Sequence, residues 1–225
     1  IQEKIPDNVM DTLSDTPGVH FVGSGGYSIT PSIRGLARRR VLVLVDGARV
    51  TSDRRAGTSA GFIQPELSRS IEVVRSPASV LYGSDAIGGV VNILTRPDKN
   101  GWQEPRKNRL NLNYNSVSNR FNTGLSLRHS INRWHVYTGF QLVGAGNYRA
   151  PDEEVLNSGY SYYSGVADVA YYGEKREFYA GFIGGWGKDI DKPDRENDPL
   201  KFTTVPSESN LFFRLGYSEK EIFFI

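Results

Sequence analysis

Trp134-His135-Val136-Tyr137-Thr138-Gly139-Phe140-Gln141-Leu142 alternates without a break. Trp134, Val136, Thr138, Phe140 and Leu142 share one face, and His135, Tyr137, Gly139 and Gln141 share the other. Successive side chains of a strand point to opposite faces, so this period of two predicts an extended strand with one apolar and one polar side. The same grammar runs outward in both directions. Leu110, Leu112 and Tyr114 alternate with Asn111, Asn113 and Asn115, and Phe121 to Arg128 repeats the pattern. Downstream come Tyr163 to Tyr171, Phe178 to Phe182 and Leu211 to Tyr217. The longer runs, Trp134 to Leu142 and Tyr163 to Tyr171, reach the ~9–11 residues that a tilted strand needs to cross a bilayer. An apolar face ending in aromatics, backed by Asn, Ser, Gly, Arg and Gln, is the pattern of a transmembrane barrel wall.

Loop lengths sort by side. With the first strand running outward, the outer connections are Ser118-Asn119, 144–159 and 187–208, and the inner ones are Asn132-Arg133, 173–176 and 218–221. Both long loops fall outside, as in outer-membrane barrels. A water-soluble β-sandwich also alternates, but nothing in its physics sorts loops this way. Six strands, with a seventh starting at Ile222, are far fewer than the ~22 of barrels that hold a plug. The expectation is therefore a longer protein, with a signal peptide upstream of Ile1, where neither a basic nor an apolar leader is present.

Composition narrows the class. The chain has 225 residues, a net charge of +2, no Cys, one Met, 12 Tyr, 11 Phe and 24 Gly. So small a charge predicts no nucleic-acid partner, and no apolar run approaches a spanning helix. Gly57-Thr58-Ser59-Ala60-Gly61 matches a nucleophile elbow only formally: polar residues precede it and Pro65 soon follows, where a strand and a helix are required. No P-loop or other cofactor motif is present, and Arg38-Arg39-Arg40 reads as a solvated strand edge. Asp189, Asp191 and Asp194 fail the EF-hand spacing. No enzyme is expected, and no cofactor or resident metal.

Residues 1 to about 98 are shorter-grained. Asp7 is placed as the cap of a short helix through Val9, Met10 and Leu13, stopped at Thr16-Pro17-Gly18. Strands are expected at 19–22, around Ser32 to Arg34, at 40–45 with an Asp46-Gly47 turn, at 70–74 and at 88–95, with single turns at 64–67 and 77–81.

This half resembles the plug of TonB-dependent receptors at several points in order. They are "DTLSDTPGV" (11–19), "SIRGL" (32–36), "RVLVLVDG" (40–47) and, almost throughout, "IEVVRSPASVLYGSDAIGGVVNILT" (71–95), with Ser76 where the family commonly has Gly. The resemblance implies an α+β plug domain (1–98), a linker (99–106) and antiparallel transmembrane β-barrel strands (107–225), with the barrel incomplete in this chain. It implies a bacterial outer-membrane location and energised import of a scarce nutrient, with a ferric siderophore preferred over cobalamin or haem. A non-transporting receptor on the same scaffold is the other reading. TonB, acting through a segment upstream of Ile1, outer-membrane lipid and an iron chelate are the implied partners.

By the same resemblance Arg34, Glu72 and Arg75 hold the plug to the barrel. Gly35, Asp46, Gly47, Tyr82, Gly83, Gly88 and Gly89 belong to the signature, whose glycines permit tight turns and close approach. Ligand is expected at the outward loops 23–31 and 48–61, where Arg49, Arg54 and Arg55 suit an anion and Tyr27 could stack on a chelate. His20, His129 and His135 lie outside those loops, which disfavours haem.

Overall fold

The computed structural model describes residues 8–24, 27–50, 61, 63–95, 108–193, 198, 200, 201 and 203–219. It opens on a 3-10 turn, Asp11–Leu13. Asn8 steadies the chain just ahead of it: its Oδ1 accepts hydrogen bonds from the backbone N–H groups of Met10 (2.9 Å) and Asp11 (3.1 Å). The expected cap, Asp7, lies outside the described residues.

Two small sheets follow. In the first, β1 (Val19–Ser24) pairs antiparallel with β2 (Ser28–Ile33), which pairs with β3 (Leu36–Ala37). The β2–β3 link is Arg34-Gly35, at φ of 51° and 81°. Two successive positive φ values make a primed hairpin turn, whose twist matches its strands. The second sheet has the order β5-β4-β7-β6, from β4 (Val41–Val45), β5 (Ala48–Arg49), β6 (Ser70–Val74) and β7 (Gly89–Leu94). Asp46-Gly47, at φ of 48° and 83°, forms the same kind of turn between β4 and β5.

Strand β4 lies parallel to β7 and is buried along its whole length. Val41, Val43 and Val45 join the main core with Ile33, Val91 and Ile93, while Leu42 and Leu44 pack with Ala78, Ala86 and Val90. A central parallel strand covered on both faces has to be apolar throughout, which explains the Val41–Val45 run. Between β6 and β7 comes one helical turn, α1 (Ser79–Tyr82).

The third sheet is the wall. Six antiparallel strands run in the order β15-β14-β13-β10-β9-β8 and leave β8 and β15 as its edges. They are β8 (Arg109–Asn115), β9 (Arg120–Ile131), β10 (Trp134–Ala145), β13 (Tyr160–Tyr172), β14 (Arg176–Lys192) and β15 (Thr203–Glu219); the short hairpin β11 (Tyr148–Arg149)/β12 (Glu154–Val155) sits in the 146–159 connection. No helix among the described residues is long and apolar enough to cross a membrane.

Alternation holds as predicted. On β10, Tyr137, Gly139, Gln141 and Val143 are buried against the N-terminal sheets, while Trp134, Val136 and Phe140 are exposed. At the end with the short turns, Ile131, Trp134, Tyr171, Phe178 and Tyr217 stand in register across five strands. Strands β13 and β14 carry a second aromatic pair, Tyr163 and Trp186, eight residues further along each strand. Eight residues span about 27 Å, or about 21 Å of membrane depth at a tilt of ~40°, close to the ~25 Å apolar band of outer-membrane barrels.

One expected loop is mostly strand. β14 and β15 stay paired as far as Lys192 and Thr203, so the connection is 193–202 rather than 187–208. Asp189, at φ 48° opposite Pro206, reverses the alternation. Beyond it Ile190 turns inward and is fully buried, with Val205 packed on the same core.

Candidate functional site

The chemistry of the molecule is concentrated where the N-terminal sheets meet the wall. Side chains there come from turns on one side and from the inward strand faces on the other.

The first contact is ionic. Arg214 of β15 donates through Nη1 to Asp46 Oδ2 and to Thr95 Oγ1 (2.8 Å), and through Nη2 to Asp168 Oδ1 of β13 (2.5 Å). The Arg214, Asp46 and Asp168 side chains are 8%, 10% and 1% exposed. Asp46 is held in turn by Thr95, whose backbone N–H reaches Oδ1 (2.9 Å) and whose hydroxyl reaches Oδ2 (2.6 Å). The Asp46-Gly47 turn therefore presents a carboxylate outward, is fixed by Thr95 just past the end of β7, and delivers the carboxylate to a buried cation on the wall. Charges this deep are tolerated only when paired and hydrogen-bonded.

The second contact is a network of amides around one carboxylate. Glu66, on the 3-10 turn Pro65–Leu67, accepts from Asn122 Nδ2 (3.1 Å) and from Gln141 Nε2 (2.7 Å). Gln141 also donates to Asn122 Oδ1 (2.6 Å), and Arg120 Nη2 donates to Gln64 Oε1 (3.2 Å). Beside it Leu67 enters the wall over Gly139, where a Cβ would stand 2.7 Å from Leu67 Cδ2. Only glycine leaves that space open.

The third contact is aromatic. Tyr27 is buried with its ring centroid 5.7 Å from Tyr160 and 5.2 Å from Tyr162, both on β13. Tyr27 thus packs into the wall and does not offer the open stacking surface expected for it.

Several other expected site residues bind within the N-terminal sheets. Arg49 grips the signature loop: Nη1 donates to Asp85 Oδ2 (2.9 Å), and Nη2 to the carbonyls of Tyr82 (3.1 Å) and Ser84 (2.8 Å). Its guanidinium organises a loop where an anion contact was expected. Arg75 Nη1 donates to the Pro17 carbonyl (2.8 Å), Glu72 accepts from Asn92 Nδ2 (3.1 Å), and the Arg34 side chain is exposed. Neither of these two bonds reaches the described wall strands. Arg54 and Arg55 lie outside the described residues. Gly83 caps α1, and Gly88 donates its N–H to the Arg40 carbonyl (2.7 Å). Gly89, at φ 145°, lies against the Val74 carbonyl so closely that any Cβ would overlap it.

Sequence reasoning missed Gln64, Glu66, Thr95, Arg120, Asn122, Gln141, Asp168 and Arg214 as contact residues. The signal was available for the wall residues: all lie on the polar side of alternating strands.

A family model described as the TonB-dependent Receptor Plug Domain matches residues 1–90. The chain carries a TonB-dependent receptor plug. Beyond it, the antiparallel strands share the fold of the barrel wall in solved structures, and a relative of the plug region is named as an outer-membrane protein. The plug region is similar to the Iron-regulated outer membrane virulence protein of Vibrio cholerae, with 45% identity over 102 residues, 42% of this chain and 16% of that protein. It is also 44% identical over 90 residues to the Vitamin B12 transporter BtuB of Vibrio vulnificus, covering 39% of this chain and 15% of that one. Among solved structures, the FrpB iron transporter from Neisseria meningitidis superposes with a TM-score of 0.79 at 16% identity, over 98% of this chain and 36% of its own. The Copper transporter OprC gives 0.69 at 21% identity, over 82% and 29%. These structures share the fold of plug and wall together. The ionic, amide and aromatic contacts set out above join the described plug to the six strands.

Proposed function

We propose that this chain is the plug and first wall segment of an importer that draws a scarce nutrient, an iron chelate, across the outer membrane with energy delivered by TonB. The observation that carries the proposal is the way the plug is held. Beside the apolar packing of Tyr27 and Leu67, its fastenings to the wall include discrete polar contacts, Asp46–Arg214–Asp168 and Glu66 with Asn122 and Gln141. Such contacts can be broken by a pull and made again, because each group finds water as the plug moves. A core fused by apolar packing alone would offer no comparable set of exchangeable bonds.

In this reading ligand binds at the outward loops of the plug, 23–31 and 48–61, with Arg54 and Arg55 as the anion contacts. TonB pulls on a segment preceding residue 1. Arg34, Glu72 and Arg75 face the remainder of the wall, and residues 99–106 link plug to barrel. The protein is a transporter and catalyses no covalent step.

Iron is preferred because the Vibrio cholerae relative is named as iron-regulated. Cobalamin is the second reading, favoured by the 44% identity of the plug to a protein named as a vitamin B12 transporter. Purified full-length protein should be titrated with ferric siderophores, cobalamin and haem. Submicromolar binding of a ferric chelate alone supports the proposal; binding of cobalamin or haem alone replaces iron with that ligand.

A further inference from the structure

The outward face of the wall carries a hollow of about 590 Å³. A barrel's outer face is convex, so a depression there needs a cause. Its floor is a diagonal of small side chains, Thr138 on β10, Ala167 on β13 and Ala180 on β14, and larger ones rise around it: Phe182 and Phe213 on one side, Leu215 on the other. Behind the floor lies the inward row of Asp168, Gly181 and Arg214, so the wall is thin at this point.

Depth decides what covers it. Ala167 lies midway between Tyr163 and Tyr171, which mark the two aromatic levels on β13, and Thr138 lies four residues above Trp134. The hollow therefore starts at the middle of the apolar band. From there it extends through Ala180 and Leu215 toward the level of Phe178 and Tyr217, the end that carries the short turns. Short turns are periplasmic in such barrels. Water and protein loops do not reach this depth; hydrocarbon does.

The turn directly below, 173–175, joins the same two strands, β13 and β14, that supply Ala167 and Ala180. Two of the cations there are paired: Arg133 with Glu174, and Arg176 with Glu219 (3.1 Å). Lys175 stands exposed at the tip. A lipid whose chain filled the hollow would bring its phosphate to this turn.

We propose that the hollow is a binding site for one acyl chain of a periplasmic-leaflet phospholipid, with Lys175 meeting the phosphate. Its size falls within the ~300–1,000 Å³ of ligand pockets, and its lining is almost wholly apolar. The small floor residues make a slot for a chain that a uniform Leu/Phe surface would not.

The test uses the full-length protein, purified in detergent from membranes containing phosphatidylethanolamine and counted for bound lipid by native mass spectrometry. Wild type should keep one phospholipid per barrel through washing. The double substitution Ala167→Phe and Ala180→Phe should reduce that at least tenfold, while Leu112→Phe, outward on β8, should leave it intact. Lys175→Gln should lower retention and its salt dependence together. A heat-modifiable gel shift reports assembly of each variant. If the Phe pair fails to assemble, the single Leu substitutions at 167 and 180 take its place and should each reduce retention. Equal retention by wild type and filled variants overturns the proposal. So does retention of an outer-leaflet lipid in place of phospholipid, or a barrel dimer that the filled variants dissolve.

Discussion

Arg214 and Asp168 belong to strands that are not neighbours, yet they meet 2.5 Å apart across β14 through the gap left by Gly181. Gly181 is the register partner of both, and a Cβ there would overlap Asp168 Oδ1. Gly181→Leu should therefore break the pair without touching either charge. Loosened plug seating, read as faster protease cleavage of the plug in otherwise intact barrels, is the expected result.

Removing the cation itself should be costlier. Arg214→Met leaves Asp46 and Asp168 buried without their partner, and such a loss typically costs about 3–5 kcal/mol. Adding Asp168→Asn should return part of it, because one of the two stranded charges is gone. A denaturant titration of single and double variants measures the coupling.

The amide network predicts a smaller effect. Glu66→Ala strips the acceptor from Asn122 Nδ2 and one of two acceptors from Gln141 Nε2. Buried donors left unsatisfied cost about 1–3 kcal/mol. Glu66→Gln keeps one oxygen and should cost less than Ala in the same titration.

Two glycines separate backbone strain from crowding. Gly35 has φ 81° with open space around it, whereas Gly89 combines φ 145° with the Val74 carbonyl. Gly35→Ala should cost about 1 kcal/mol, the usual left-handed penalty. Gly89→Ala must also displace β6, and loss of the folded plug is expected by limited proteolysis.

Depth on the outer face gives a fourth contrast. Phe182 lies at the middle of the apolar band and Phe178 at its periplasmic edge. Phe182→Arg should destabilise folding into vesicles by about 2–4 kcal/mol, and Phe178→Arg by only about 0–1.

How far the sequence carried this depended on the range of the interaction. Alternation is local, so Trp134 to Leu142 disclosed both faces of β10, and Asp46-Gly47 was legible as a turn, whereas Arg34, expected in a strand, opens the β2–β3 turn at φ 51°. The Val41–Val45 run was legible as a strand, and the structure shows it buried on both faces. What Arg214 binds was not legible, because Asp46 is 168 positions away and Asp168 is two strands over. Tyr27 and Arg49 were assigned to ligand from their loops. Tyr27 instead finds Tyr160 and Tyr162, and Arg49 finds Asp85, contacts that exist only once the chain has closed on itself. The reach of β14 and β15 past the membrane was hidden by Asp189 and Pro206, which read as loop residues and act as a reversal of strand faces.

The central claim is energised import through a plug that unfastens from its wall. The most direct measurement is accumulation of a radiolabelled ferric siderophore by cells expressing the full-length protein, with TonB present or deleted, alongside an Asp46→Cys with Arg214→Cys variant whose two thiols are joined by a short reducible cross-linker that ties plug to wall. Uptake that requires TonB, stops when the cross-link forms and returns on reduction is the predicted result. Uptake that continues without TonB, or that passes unchanged through the tied plug, contradicts it.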